Sequence, residues 1–123
     1  MTEASSKFLK LTRSVSASLS TLRTNTPEVM RNFGELGRAA TSCGKPDTRT
    51  KELIALALSV AARCGPRIGF HAQTLAKLGA TGQEIDETLG VTNYMGGGPA
   101  LVYAANETAA FEELARASAA KTK

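Results

Sequence analysis

Apolar positions recur at helical spacing along almost the whole chain. Near the N-terminus Phe8, Leu11, Val15, Leu19 and Leu22 are spaced 3, 4, 4 and 3 residues apart, which puts them on one face of a helix and predicts an amphipathic first helix. Thr26 followed by Pro27 reads as an N-cap and a first-turn proline, opening a second helix to about Ala40. The stretch from Ser42 to Asp47, with Gly44 and Pro46 inside it, breaks the pattern, and Asp47 or Thr48 can cap a third helix. In that helix Leu53, Ile54, Leu56, Leu58 and Val60 are apolar nearly all round, as expected of a helix surrounded by other helices. It stops at Cys64-Gly65-Pro66, because proline disfavours helical geometry in the residue before it and suits the start of a new helix. A fourth helix is predicted from Pro66 to Leu78. Gly79 closes it, and Thr81 with Glu84 three residues on forms a capping box for a fifth helix reaching about Tyr94. Gly96, Gly97, Gly98 and Pro99 then predict a kink and a long final helix to about Ala119.

The resulting expectation is an all-α fold, a compact bundle of about six helices within one domain, residues 1–123. Composition agrees with it: alanine and leucine recur, aromatic residues make up only 5% and tryptophan is absent, which favours close helix packing over a sheet built on β-branched and aromatic side chains. Two cysteines are too few for the disulfide scaffold of a small secreted domain, and no secretory signal pattern opens the chain, so a cytoplasmic protein is expected. The longest apolar run, 53–62 with Ser59 inside it, falls short of the ~20 residues needed to cross a bilayer. No membrane partner is expected.

Charge alters the picture only at the N-terminus. Residues 1–50 carry eight Lys/Arg against four Asp/Glu, whereas residues 51–123 carry seven of each. Lys7, Lys10, Arg13 and Arg23 in a Ser-rich segment resemble a nucleic-acid arm or a transit peptide, but the helical apolar stripe between them favours a solvated helix face, and no nucleic-acid partner is expected. The glycine run at 96–98 lacks the preceding strand and following Lys-Ser or Lys-Thr of a phosphate cradle, so it reads as a turn.

Candidate chemistry concentrates between Lys51 and His71, a segment holding the chain's one histidine and one of its two cysteines. "RTKELIALALSVAARCGPRIGFH" resembles the central motif of the carboxymuconolactone decarboxylase superfamily, in particular its alkylhydroperoxidase D-like branch: Glu, eleven residues, Cys, two residues, Cys, three residues, His. Glu52, Cys64 and His71 match at those spacings, and "NYMGGGPALVYAANETAAFEEL" is similar to the Tyr-Ala-Gly-x-Pro stretch that opens the family's last helix. The resemblance covers roughly residues 26–115. It implies a bundle of the alkylhydroperoxidase D type, a homo-oligomer (a trimer, or a hexamer made of trimers) and no cofactor.

One departure matters: the second cysteine of the family's Cys-x-x-Cys is replaced by Arg67 in this chain. In the peroxide-reducing relatives the cysteine nearer the histidine is the one assigned the attack, so only the position of the resolving thiol survives as Cys64. On physical grounds Cys64 still starts a helix, where unsatisfied amides favour an anionic sulfur, and Arg67 one turn on adds positive charge. His71 shares that helix face and can carry a proton near neutral pH. A fold-back at Gly65 would set His71 level with position 58 and leave Glu52 about 9 Å further along, at ~1.5 Å per residue, so that a long side chain and a water would be needed to join them. Cys64 as inert packing, His71 as a satisfied core residue, Arg67 in a salt bridge and Glu52 as a first-turn acid are the structural alternatives. Cys43, in a loop 21 residues upstream, is a distant candidate for a resolving thiol. No metal site is expected, since one His and two separated Cys give no ligand-pair spacing.

The expected function is a small thiol-dependent oxidoreductase of peroxiredoxin or alkylhydroperoxidase type, with Cys64 as redox thiol, Arg67 beside it for the substrate or anion, Glu52 and His71 as a proton relay, and an external thiol as reductant. The alternatives are a non-redox lyase of the decarboxylase kind acting on a small carboxylated lactone, and a family member without catalysis.

Overall fold

The computed structural model of the protein describes residues 3–100 and Ala104, with side chains from Lys10 onward. Among the described residues there are five helices and no strand: α1 (Glu3–Asn25), α2 (Pro27–Thr41), α3 (Thr48–Ala61), α4 (Gly65–Lys77) and α5 (Gly82–Gly96). Helical geometry resumes at residues 98–100 and at Ala104. The all-α expectation is met, and the helix boundaries fall within two residues of those predicted. The remainder of the final helix and the side chain of Phe8 lie outside the described residues.

The local signals that set these boundaries are mostly the expected ones. Asp47 caps α3, its carboxylate accepting from the Thr50 amide at 2.8 Å, and Thr81 with Glu84 makes the reciprocal capping box at the start of α5. Gly97, at φ 77°, ends α5 in a conformation that glycine adopts without steric cost. Thr26 departs from expectation, because α1 runs up to it without a gap: both its amide and its hydroxyl donate to the Leu22 carbonyl, at 2.7 and 2.8 Å, and no side-chain cap forms on α2.

The core is built by three helices. Leu56 and Val60 of α3, Ile68, Ala72 and Leu75 of α4, and Ile85 and Leu89 of α5 are buried together, with Leu11 of α1 packed against them. Accordingly α3 packs on both α4 and α5, and α1 packs on α4. α1 comes close to the start of α4 at Gly65, where an added Cβ would stand 2.9 Å from a Leu11 methyl. The expectation that α3 is enclosed on every side is corrected: Ile54 is 51% and Leu58 64% exposed. Its neighbours α4 and α5 cover one side only, and α2 contacts α1 and α3 without burying any residue of its own.

The α3–α4 reversal determines how the core helices align. Ala62 closes α3, Arg63 takes a left-handed φ of 55°, and Cys64 is extended. The Arg63 amide donates to the Val60 carbonyl and the Cys64 amide to the Ser59 carbonyl, at 3.0 and 2.9 Å, so the last turn of α3 is satisfied from within the turn.

Two consequences can be measured. Leu75→Ala, at a fully buried position, is expected to destabilise the protein by about 2–5 kcal/mol, through lost transfer energy and the cavity left behind; a loss of under ~0.5 kcal/mol in the free energy of urea unfolding would contradict the core assignment. The Thr50 amide and hydroxyl hold the Asp47 carboxyl below its usual value of 3.8. Its contribution is therefore present above the unfolded value and fades as pH falls through the lower, folded one. The difference in melting temperature between wild type and Asp47→Ala should be constant at neutral pH and shrink below about pH 4; a pH-independent difference would mean that the charge plays no part in the cap.

Candidate active site

Glu52 lies in the second turn of α3 and is buried, while His71 lies in the second turn of α4 and is half-buried. Their side chains meet directly: His71 Nδ1 is 2.6 Å from Glu52 Oε2. This corrects the expected 9 Å offset. The chain reverses at Arg63 rather than at Gly65, which sets His71 level with position 55 instead of 58. Only three residues, about 4.5 Å of rise, then separate Glu52 from that level, and a glutamate side chain spans this unaided.

A buried carboxylate is costly to keep unless it is hydrogen-bonded. The imidazole supplies a donor, and the carboxylate in turn selects the tautomer with the proton on Nδ1. The other ring nitrogen, Nε2, is then an acceptor when the ring is neutral. The pair is thus suited to take a proton at Nε2 and stabilise the imidazolium that results.

Cys64 is the N-cap residue of α4. It is half-buried, free, and its side chain makes no capping hydrogen bond. Arg67 is exposed in the first turn. Cys64, Arg67 and His71 follow one another at spacings of three and four, so they share one face of the helix start. Seven residues, about 10 Å of helical rise, separate Cys64 from His71, so a proton moving between them has to pass through a water or a substrate atom. Cys43 is exposed in the α2–α3 connection and is also free. That connection is held by Lys51 Nζ donating to the Ser42 carbonyl at 2.9 Å.

One contact near the site was not legible in the sequence. Arg49, in the first turn of α3, forms an ion pair with Glu84, the same residue that completes the capping box of α5. It ties the N-terminal ends of the two helices together across 35 positions of sequence, a separation at which no periodicity carries a signal.

The sequence model of the carboxymuconolactone decarboxylase family matches residues 27–110, a span that includes Glu52, Cys64, Arg67 and His71. The chain belongs to that family. It is 51% identical to apo-lpg0406, a carboxymuconolactone decarboxylase family protein from Legionella pneumophila, whose crystal structure superposes with a TM-score of 0.86 over 89% of this chain and 97% of that one. It is also 35% identical to an uncharacterized protein of Cupriavidus necator, over 76% of this chain and 95% of the relative. Among the described residues of this family member no helix is long and apolar enough to cross a membrane.

Because the protein contains a single histidine, its tautomer can be read without assignment ambiguity. Long-range proton–nitrogen correlation spectra of the neutral ring should show the Nδ1–H form in wild type and a loss of that preference in Glu52→Leu. A wild-type ring dominated by Nε2–H would rule out Nδ1 as the donor to Glu52.

Proposed function

We propose that this family member is a small thiol-dependent oxidoreductase that reduces peroxides, with Cys64 as the reacting thiol, His71 and Glu52 as the proton relay and Arg67 holding the anionic part of the substrate. The observation that carries the reading is the direct 2.6 Å contact between a half-buried imidazole and a buried carboxylate, on the same helix face as a free cysteine. In the first step the Cys64 thiolate attacks a peroxide oxygen: an S–O bond forms, the O–O bond breaks, and the departing alkoxide takes a proton from imidazolium His71. Sulfur is oxidised to the sulfenic acid and the peroxide is reduced to an alcohol. An external thiol then condenses with the sulfenic acid, releasing water and leaving a mixed disulfide. A second thiol attacks that disulfide and returns Cys64 to the thiol. Arg67 occupies the place of a second cysteine, so no disulfide forms within the motif, and the reductant must supply both electrons from outside.

The other reading is a lyase of the decarboxylase kind. It is favoured by the fact that the Glu52–His71 pair is complete without any sulfur. There Arg67 binds the carboxylate of a small lactone and His71 transfers a proton, with Cys64 as packing at the helix junction. In either case we expect a homo-oligomer, a trimer or a hexamer made of trimers.

Peroxide consumption with dithiothreitol as electron donor separates the two. Cys64→Ser should abolish turnover, and His71→Ala should reduce it by about 10²-fold or more, the usual contribution of a positioned acid or base. A wild type that consumes no peroxide, or turnover that survives Cys64→Ser, would exclude the thiol reading; decarboxylation of a small carboxylated lactone that is kept in Cys64→Ser and lost in His71→Ala would favour the proton-transfer one.

A further inference from the structure

The reversal between α3 and α4 carries a residue that the proposed chemistry does not use. Arg63 has a φ of 55° and is the one non-glycine residue in the left-handed region among the described residues. It follows the C-cap Ala62, at a place where glycine ends a helix without the steric cost that a side chain brings. An arginine there keeps a guanidinium next to Cys64, and Arg67 adds a second one a helical turn further on. Both residues are exposed, and neither side chain makes an ion pair or a hydrogen bond.

The described segments that meet at this end of the molecule are positive or uncharged. α3 carries no charge from Leu53 to Ala62. α5 runs parallel to α3, since Arg49 and Glu84 join their first turns, and the chain from Thr88 to Ala100 is uncharged as well. α1 reaches Gly65 through Leu11, and positions 8–15 include Lys10 and Arg13 but no acid. Glu52 is buried and committed to His71.

The second cysteine is out of reach. Cys43 stands in the connection before α3, which Lys51 Nζ fastens at the Ser42 carbonyl, whereas Cys64 lies beyond the other end of that 14-residue helix. About 20 Å of helical rise separates the two levels, and a disulfide needs Cα atoms within ~7 Å. Cys43 is therefore not the resolving thiol of its own protomer, and a thiol that meets Cys64 arrives from solution past Arg63 and Arg67.

We infer that Arg63 and Arg67 form an anion-selective rim around Cys64, so that the external thiol acting there is a small one that carries carboxylates. Its role as reductant rests on the thiol reading of the site. The sulfenic sulfur of Cys64 condenses with one such thiol, losing water, and a second attacks the mixed disulfide, which frees Cys64 and leaves the two reductant sulfurs joined. The selectivity of the rim shows equally in simple thiol–disulfide exchange, which needs no peroxide.

That exchange provides the test. In Cys43→Ser protein, Cys64 reacts with 3,3′-dithiodipropionate, bis(2-hydroxyethyl) disulfide or cystamine, which are dianionic, neutral and dicationic, and each rate is divided by that of 2-mercaptoethanol with the same reagent. The anionic disulfide should outrun the neutral one, and the neutral the cationic, by about threefold for each guanidinium, the effect of unit charges ~7 Å apart in water. Salt at about 0.5 M should flatten the order. Arg63→Gly should lose one threefold step without lowering the melting temperature, because glycine suits the left-handed turn, and Arg63→Lys should retain the step. A purely structural role of Arg63 would change all three rates alike. Rates independent of reagent charge, or a charge order unchanged in Arg63→Gly, would overturn the inference. Peroxide consumption that survives Cys64→Ser while the exchange keeps its charge order would sink the peroxidase reading and leave the rim standing.

Discussion

The antiparallel packing of α3 on α4, begun by the left-handed turn at Arg63, is the constraint on which the rest of this molecule depends. The turn consumes the last carbonyls of α3 and delivers an extended Cys64 directly into the first turn of α4. Leu56 and Val60 then meet Ile68, Ala72 and Leu75 in the core, and that packing holds the register. A slip of one helical turn would move Glu52 by about 5 Å relative to His71 and separate the pair. The helix ends are secured independently, by the Asp47 cap and by the Arg49–Glu84 bridge between α3 and α5.

Within this frame a glutamate stands in a mostly apolar layer, one turn from Leu56. A core position filled by Leu would pack without the cost of burying a carboxylate, so the acid gains nothing for stability unless His71 is there to meet it. The imidazole is half-buried, so the pair connects a buried charge to the surface through one ring. This is an arrangement in which protons can move, and it stands whether or not sulfur takes part. Arg67, on the same helix face, alters the local chemistry: where the alkylhydroperoxidase D-like pattern has a second thiol, this chain has a permanent cation.

The outer helices follow a different rule. A chain of this length cannot cover all of its apolar helix faces with its own residues, and the uncovered faces of α2 and α3 are arranged rather than scattered. Phe33 and its neighbours form a stripe, and Ile54 and Leu58 share one face of α3. The apolar residues that hold the core helices together are thus a separate set from those left on the surface.

Helix existence, order and most boundaries were legible in the chain itself, since proline at the start of α2 and α4, the capping box at Thr81 and the glycine at 97 act through neighbours a few residues away. The identity of the candidate residues was legible for the same reason, because Glu52, Cys64 and His71 stand at fixed spacings along two helices. The tertiary structure decided what depends on how helices meet. It placed the reversal at Arg63 rather than Gly65, which turned a distant Glu52 and His71 into a hydrogen-bonded pair; it redirected the Thr26 hydroxyl to α1; it left one side of α3 open; and it joined Arg49 to Glu84. Local periodicity reports which face of a helix is apolar. It carries no information on the exact residue at which the chain turns back, and a difference of two residues there, which reduces the Glu52–His71 offset from about 9 Å to about 4.5 Å of rise, separates a water-bridged site from a directly bonded one.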